Sequence, residues 1–132
     1  MEDIKVFFVG MHNKPNMKPL DSKTVSGKII DAVISQLNFN CVKTNLFEED
    51  YLPTDFLEIN NAGILWHEKY EPKETDIIVL LGAWVHKNFW WDRFNIVKLP
   101  HPASCMGRVN KETYVKNAIE KINKLCLTST PS

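Results

Sequence analysis

IKVFFVG, residues Ile4 to Gly10, is an almost unbroken apolar run closed by a glycine, and its reading decides the fold. A strand with one wet face alternates polar and apolar residues, whereas a strand covered on both faces is apolar nearly throughout, as here. The run therefore belongs in a parallel sheet, and a helix should follow it after a loop. Val25, Ile29, Ile30, Val33, Ile34 and Leu37 recur at helical spacing, and either Ser22 or Thr24 is placed to cap the first turn.

The alternation continues to the end of the chain. Phe39–Leu46 reads as a second strand, Thr54 to about Trp66 as a looser helix, and Asp76–Leu81 (DIIVLL) as a third strand ended by Gly82. The aromatic-rich segment AWVHKNFWW is helical and leads to a fourth strand, Phe94–Leu99. Asn110 caps a last helix on which Tyr114, Val115, Ala118, Ile119, Ile122 and Leu125 face the core. Four strands alternating with helices predict an α/β fold, a three-layer α/β/α domain on a four-stranded parallel sheet with right-handed crossovers. One domain over residues 1–127 is expected, with Thr128–Ser132 as a frayed tail. In such sheets the loops beyond the carboxyl ends of the strands hold the ligand.

Composition narrows the function. The chain has 132 residues, enough for one core, and its 16 Lys and Arg balance its 16 Asp and Glu. No global positive field announces nucleic acid, so such a partner must be met by a local patch. The apolar stretch Ile77–Val85 is too short to span a bilayer, and MEDIKVFFVG does not read as a signal peptide, so a cytoplasmic protein with no membrane partner is expected. Cys41, Cys105 and Cys126 are widely spaced and form no CxxC pair, which predicts three reduced thiols, no disulfide framework and no metal site. There is no GxGxxG and no GKS or GKT, which argues against a dinucleotide site or a P-loop.

The polar oddities fall in the loops. Met11-His12-Asn13-Lys14-Pro15 follows the first strand, Thr44-Asn45 lies at the end of the second, and Pro100-His101-Pro102 follows the fourth. Each has a plain reading beside a chemical one. Asn45 is either a turn residue bonding nearby backbone or a group that reads a ligand. His101 is either a loop histidine steered by its two prolines or a rigidly held donor. Trp84, Phe89, Trp90 and Trp91 read as core rather than as a cofactor box, and Lys14, Lys18, Lys23 and Lys28 as a solvated face.

Taken in order, the segments VGMHNKPNMKPLDSKTVSGKIID, KTNLFEEDYLP, DIIVLLGAWV and KLPHPASCMGRVNKETYVKNAIEKI resemble the uracil-DNA glycosylase superfamily. The likeness is to its compact bacterial and archaeal branch and to the mismatch-specific branch, and it covers nearly the whole chain. The HPAS loop with Arg108 behind it carries most of it, with the PLDSKTVSGKIID helix start and Thr44-Asn45 in matching slots.

The resemblance implies a monomer that hydrolyses the N-glycosidic bond of uracil or a related damaged base flipped out of DNA, with no cofactor. His101 would donate to the base O2 as anionic charge develops there. Asn45, with one donor and one acceptor, would read uracil in a pocket also lined by Met11, His12, Leu20 and Phe47. Met106 would fill the space the base leaves, while Ser104, Gly107, Arg108 and Lys14 would meet the DNA backbone. Asn13 would orient the attacking water, with Asp21 as a second candidate.

The chain departs from the family pattern at three places. No acidic residue stands shortly after Gly10, Leu20 stands where a stacking aromatic is expected, and the iron–sulfur cysteines of the compact branch are missing. A water held by an amide has no base to take its proton, so slow activity is expected. Two other classes stay open: a catalytically silent base- or nucleotide-binding protein with the same pocket, and an enzyme acting on free nucleosides or nucleotides.

Overall fold

The computed structural model describes residues 4–13, 15–49, 51, 53–89, 94–103 and 110–129, with backbone alone for 126–129. The elements alternate as β1 (Lys5–His12), α1 (Val25–Ile34), β2 (Asn40–Phe47), α2 (Phe56–Tyr70), β3 (Ile77–Leu81), α3 (Ala83–Asn88), β4 (Asn95–Leu99) and α4 (Lys111–Ser129). The four strands form one sheet in the order β2-β1-β3-β4, and every pairing is parallel. The expected three-layer α/β/α architecture is therefore the one adopted.

The period-2 geometry of the strands divides the core. Val6, Phe8, Ile77, Val79, Leu81, Val97 and Leu99 pack under α1 and α4, through Ile29, Ile30, Val33, Tyr114, Val115, Ala118 and Ile122. Phe7, Val9, Ile78 and Leu80 point the other way, onto Trp66 of α2, Val85 of α3 and Phe89. That both faces are covered is why the strands read as continuous apolar runs. Trp66 centres the second cluster, edge-on to Phe7 at 5.7 Å and to Phe89 at 5.5 Å between ring centroids. Its indole Nε1–H donates to Thr44 Oγ1 at 2.9 Å, and that hydroxyl donates to the Phe8 carbonyl at 3.0 Å. Thr44 is thus a satisfied core residue. Trp84 and Phe89 belong to the core as expected, whereas Trp90 and Trp91 lie outside the described residues.

Several boundaries differ from the sequence reading. β1 does not stop at Gly10 but runs on to His12, because β2 continues alongside it and pairs Gly10 with Asn45 and His12 with Phe47. α2 extends to Tyr70 rather than ending near Trp66. Its last turn is tied to the end of β2 by Lys69 Nζ and Tyr70 Oη, which donate to the Glu48 carboxylate at 2.9 and 2.6 Å. α3 is shorter than the aromatic run suggested, since Phe89 is already extended. α4 carries the chain as a helix through Ser129, past Thr128 where the sequence reading begins a tail. Thr24, not Ser22, caps α1, its side chain accepting from the Gly27 N–H at 2.9 Å. Asn110 accepts from the Glu112 N–H at 2.7 Å as the expected cap of α4.

Strand order changes direction between β1 and β3: the chain passes outward from β1 to β2, then returns across β1 to β3 and β4. A crevice opens at the carboxyl ends of strands on either side of such a switch, and this positions the site described next.

Candidate active site

Three chain segments meet at that crevice. β1 ends at His12, β2 carries Asn45 near its end, and the loop after β4 carries His101. Between them lies a cavity of about 180 Å³ lined by Met11, His12, Met17, Lys18, Leu20, Asp21, Thr24, Ser26, Asn45 and His101. Sites for drug-sized ligands usually have about 300–1,000 Å³, so this one has room for a single small ring.

Asn45 is buried, 3% exposed, and its place depends on Gly10. The two residues are register partners, and a Cβ on Gly10 would overlap Asn45 Oδ1. Gly10 thus serves through what it lacks, and no turn is made there. Asn45 Nδ2 donates to Asn13 Oδ1 at 2.6 Å, and the Asn13 N–H donates to the Glu49 carbonyl at 2.9 Å, so the loop after β1 is tied to the strand that carries Asn45. One amide N–H and the carbonyl oxygen of Asn45 are left for other use.

The His101 loop is held at several points. Leu99 O accepts from the Gly82 N–H at 2.9 Å and from His86 Nε2 at 2.9 Å, and Pro100 O accepts from Tyr114 Oη at 2.6 Å. Gly82, with φ of 93°, lies against the imidazole: a Cβ there would come within 3.2 Å of His101 Cβ. The Ala103 N–H donates to His101 Nδ1 at 3.1 Å. A nitrogen that accepts carries no proton, so the ring proton sits on Nε2, and His101 is a hydrogen-bond donor at that atom.

The cavity wall holds a strained residue. Leu20 has φ of 49°, a left-handed conformation costing about 1–3 kcal/mol for a side chain of this kind, and it is nonetheless 8% exposed. Beside it, Asp21 accepts from the backbone N–H of Lys23 at 2.9 Å and of Lys18 at 3.2 Å. Those two bonds, Lys23 foremost, hold its carboxyl below the ordinary carboxylate value. Both its oxygens are occupied in shaping the turn into α1.

The sequence-derived residues divide accordingly. His101, Asn45, Leu20, Met11, His12 and Asp21 share one cavity, and Asn13 stands behind Asn45 as its partner. Phe47 does not join them. It faces a separate groove of about 330 Å³, walled by Leu46, Tyr51, Leu65 and Trp66, with its ring edge-on to Tyr51 at 5.1 Å. As the last residue of β2 it follows the strand past Asn45 and turns toward α2. Lys14, Ser104, Met106, Gly107 and Arg108, the expected DNA contacts, lie outside the described residues, as does Cys105.

Sequence inspection did not anticipate Gly82, Tyr114 and His86 as supports of the His101 loop. Gly82 left a trace as the glycine closing an apolar run, and Tyr114 as a core-facing residue of the last helix. Among the described residues no cluster of His, Cys, Asp or Glu could hold a metal ion, and no helix is long and apolar enough to cross a membrane. Cys41 is a free thiol, half-buried, with burial pushing its pKa up. The chain matches no protein-family model and no curated protein sequence.

Proposed function

We propose that this protein is a DNA glycosylase of the uracil-DNA glycosylase kind, which hydrolyses the N-glycosidic bond of uracil or a related damaged base flipped out of DNA. The observation that carries the proposal is the pairing, in one small cavity at the sheet's switch point, of a buried amide on Asn45 with a loop-held imidazole on His101 whose ring proton is on Nε2.

The chemistry follows from what each group offers. Departure of the base leaves a pair of electrons on N1, delocalised onto O2, against an oxocarbenium-like sugar. A donor fixed before the reaction strengthens its bond as that charge grows, and loses nothing to reorganisation. His101 Nε2–H is such a donor. Asn45 offers its remaining N–H to uracil O4 and its Oδ1 to N3–H, a pattern that cytosine presents in reverse. Met106 would plug the vacated stack, and Ser104, Gly107, Arg108 and Lys14 would hold the phosphates. On this reading the protein works as a cytoplasmic monomer on DNA, without a cofactor.

The test is excision from labelled single- and double-stranded oligonucleotides carrying uracil, hypoxanthine, xanthine or 5-hydroxymethyluracil, read as alkali-labile abasic sites. Cleavage at one or more of these, with DNA affinity that falls steeply with salt, is the expected result. A protein that leaves all four intact is not a glycosylase for these bases.

The formal charge of zero favours a second reading, a binder of free bases or nucleotides with the same cavity. Such a protein would gain thermal stability from uracil or a uridine nucleotide alone and would show little salt-dependent affinity for DNA.

A further inference from the structure

The site has a donor for the departing base, and the attacking water needs a group to take its proton. We propose that His12 is that acceptor, a general base at Nε2; the proposal rests on the glycosylase reading above.

His12 is the last residue of β1 and lines the same cavity as Asn45 and His101. Its Nδ1 lies 2.9 Å from the carbonyl oxygen of Asn13. A carbonyl can only accept, so the ring proton is on Nδ1, and Nε2 carries the lone pair. No partner among the described residues occupies that nitrogen. His101 is the mirror case, because the Ala103 N–H donates to its Nδ1 and leaves the proton on Nε2. Backbone groups thus set two imidazoles on one cavity in opposite tautomers, one a donor at Nε2 and the other an acceptor at Nε2.

The competing bases are weaker. Asp21 spends both carboxylate oxygens on the Lys18 and Lys23 N–H groups, which lower its basicity. Glu48 receives Lys69 and Tyr70 and faces the other groove. Asn13 and Asn45 carry amides, which take no proton in this range. Of the charged and titratable groups, Lys18 and Asp21 from the loop before α1 and His101 from the loop after β4 line the cavity with His12, and Glu49 is tied through its carbonyl to the Asn13 N–H; Lys14 lies outside the described residues.

The step balances. The water oxygen bonds to the sugar C1′, the C1′–N1 bond breaks with its electron pair going to the base, and the water proton passes to His12 Nε2. His101 Nε2–H meets the charge on O2.

The experiment is single-turnover uracil excision between pH 5 and 9 by the parent protein and by His12→Asn, whose amide N–H can still reach the Asn13 carbonyl. The parent should lose rate toward pH 5, because a protonated Nε2 can take no proton from water. His12→Asn should be slower by about 10²-fold or more and should lose that acid limb, while added imidazole restores part of the rate to His12→Ala. A folded His12→Asn with the parent's rate and pH profile overturns the proposal and leaves the glycosylase reading standing. A parent that excises nothing removes both. Should the variants not fold, long-range ¹H–¹⁵N spectra of the parent decide: His12 protonated at Nδ1 and His101 at Nε2 supports the division of roles, and a shared tautomer refutes it.

Discussion

Asn45 and Asn13 face each other across the ends of β2 and β1, with Asn45 Nδ2 donating to Asn13 Oδ1 at 2.6 Å. An amide can be turned end for end at little steric cost, and this bond couples that choice to Asn13, whose Oδ1 stands against Nδ2. Asn45 Oδ1 meanwhile lies over Gly10, where a side chain would displace it. The orientation of the proposed base reader is thus set from two sides before any ligand arrives.

Asn45→Asp tests the reader directly. An ionised carboxylate offers acceptors only, so it repels uracil O4 and also opposes Asn13 Oδ1, which already supplied an acceptor. Losing one bond in a closed pocket with lone pairs left facing each other costs roughly 2–5 kcal/mol, more than tenfold in rate. We predict that uracil excision collapses in single-turnover assays, and that residual activity shifts toward cytosine. A variant that melts as the parent does and removes uracil at the parent rate would show that Asn45 is a structural residue.

Asn13 should control selectivity through Asn45. In Asn13→Ala the buried Nδ2 loses its acceptor, Asn45 is free to invert, and the ratio of uracil to cytosine excision should fall severalfold. Asn13→Asp retains an acceptor for the same N–H and should retain the ratio. If Asn13 serves only to hold water, both variants would lose rate with the ratio unchanged, so the ratio is the quantity to measure.

The parallel sheet was legible because both its faces are covered, which leaves its mark in IKVFFV and DIIVLL as apolar runs without alternation. Asn45 and His101 were legible because polar residues at strand ends are exposed to comparison by type and order. What escaped was set by non-local contacts. Gly10 reads as a strand stop, yet pairing with β2 carries the strand through it, and only the missing Cβ matters. Phe47, two residues beyond Asn45, reads as a pocket wall, yet it turns to Tyr51 and α2. The left-handed Leu20 has no local signature, since leucine disfavours that conformation and tertiary packing imposes it. Neither histidine tautomer is visible in sequence, because each is fixed by a backbone group.

Asp21 should make stability depend on pH in the acid range. Its carboxyl is held below its ordinary value by the Lys23 and Lys18 N–H groups. A carboxyl lowered on folding stabilises the folded state at pH above its unfolded pKa, and that contribution is lost as the pH falls through the folded one. We predict that Asp21→Ala melts below the parent at pH 7 and that the gap narrows from about pH 4 downward. Because solvent screens a group that is only partly buried, the gap should be small; thermal melts at pH 7 and pH 3 measure it, and an equal gap at both would assign the loss to packing.

The supports of His101 should act on rate and not on choice of base. Tyr114 Oη donates to Pro100 O at 2.6 Å, one residue before the imidazole, so Tyr114→Phe removes one anchor while keeping the ring in the core. A single hydrogen bond of this kind is worth about 0.5–1.5 kcal/mol, which sets the expected loss of stability. Gly82→Ala should cost more, about 1–3 kcal/mol, because a side chain is strained at φ of 93° and its Cβ would press on His101. Both changes allow the Nε2–H donor to drift from the position of O2, and a donor out of place is lost to the transition state more than to the bound substrate. Excision should therefore slow in both, more in Gly82→Ala, with the uracil to cytosine ratio at its parent value because Asn45 and Asn13 are untouched. Single-turnover rates on the two bases, beside melting curves, separate the outcomes: a changed ratio with an unchanged rate would mean that the His101 loop reads the base and does not stabilise the leaving group.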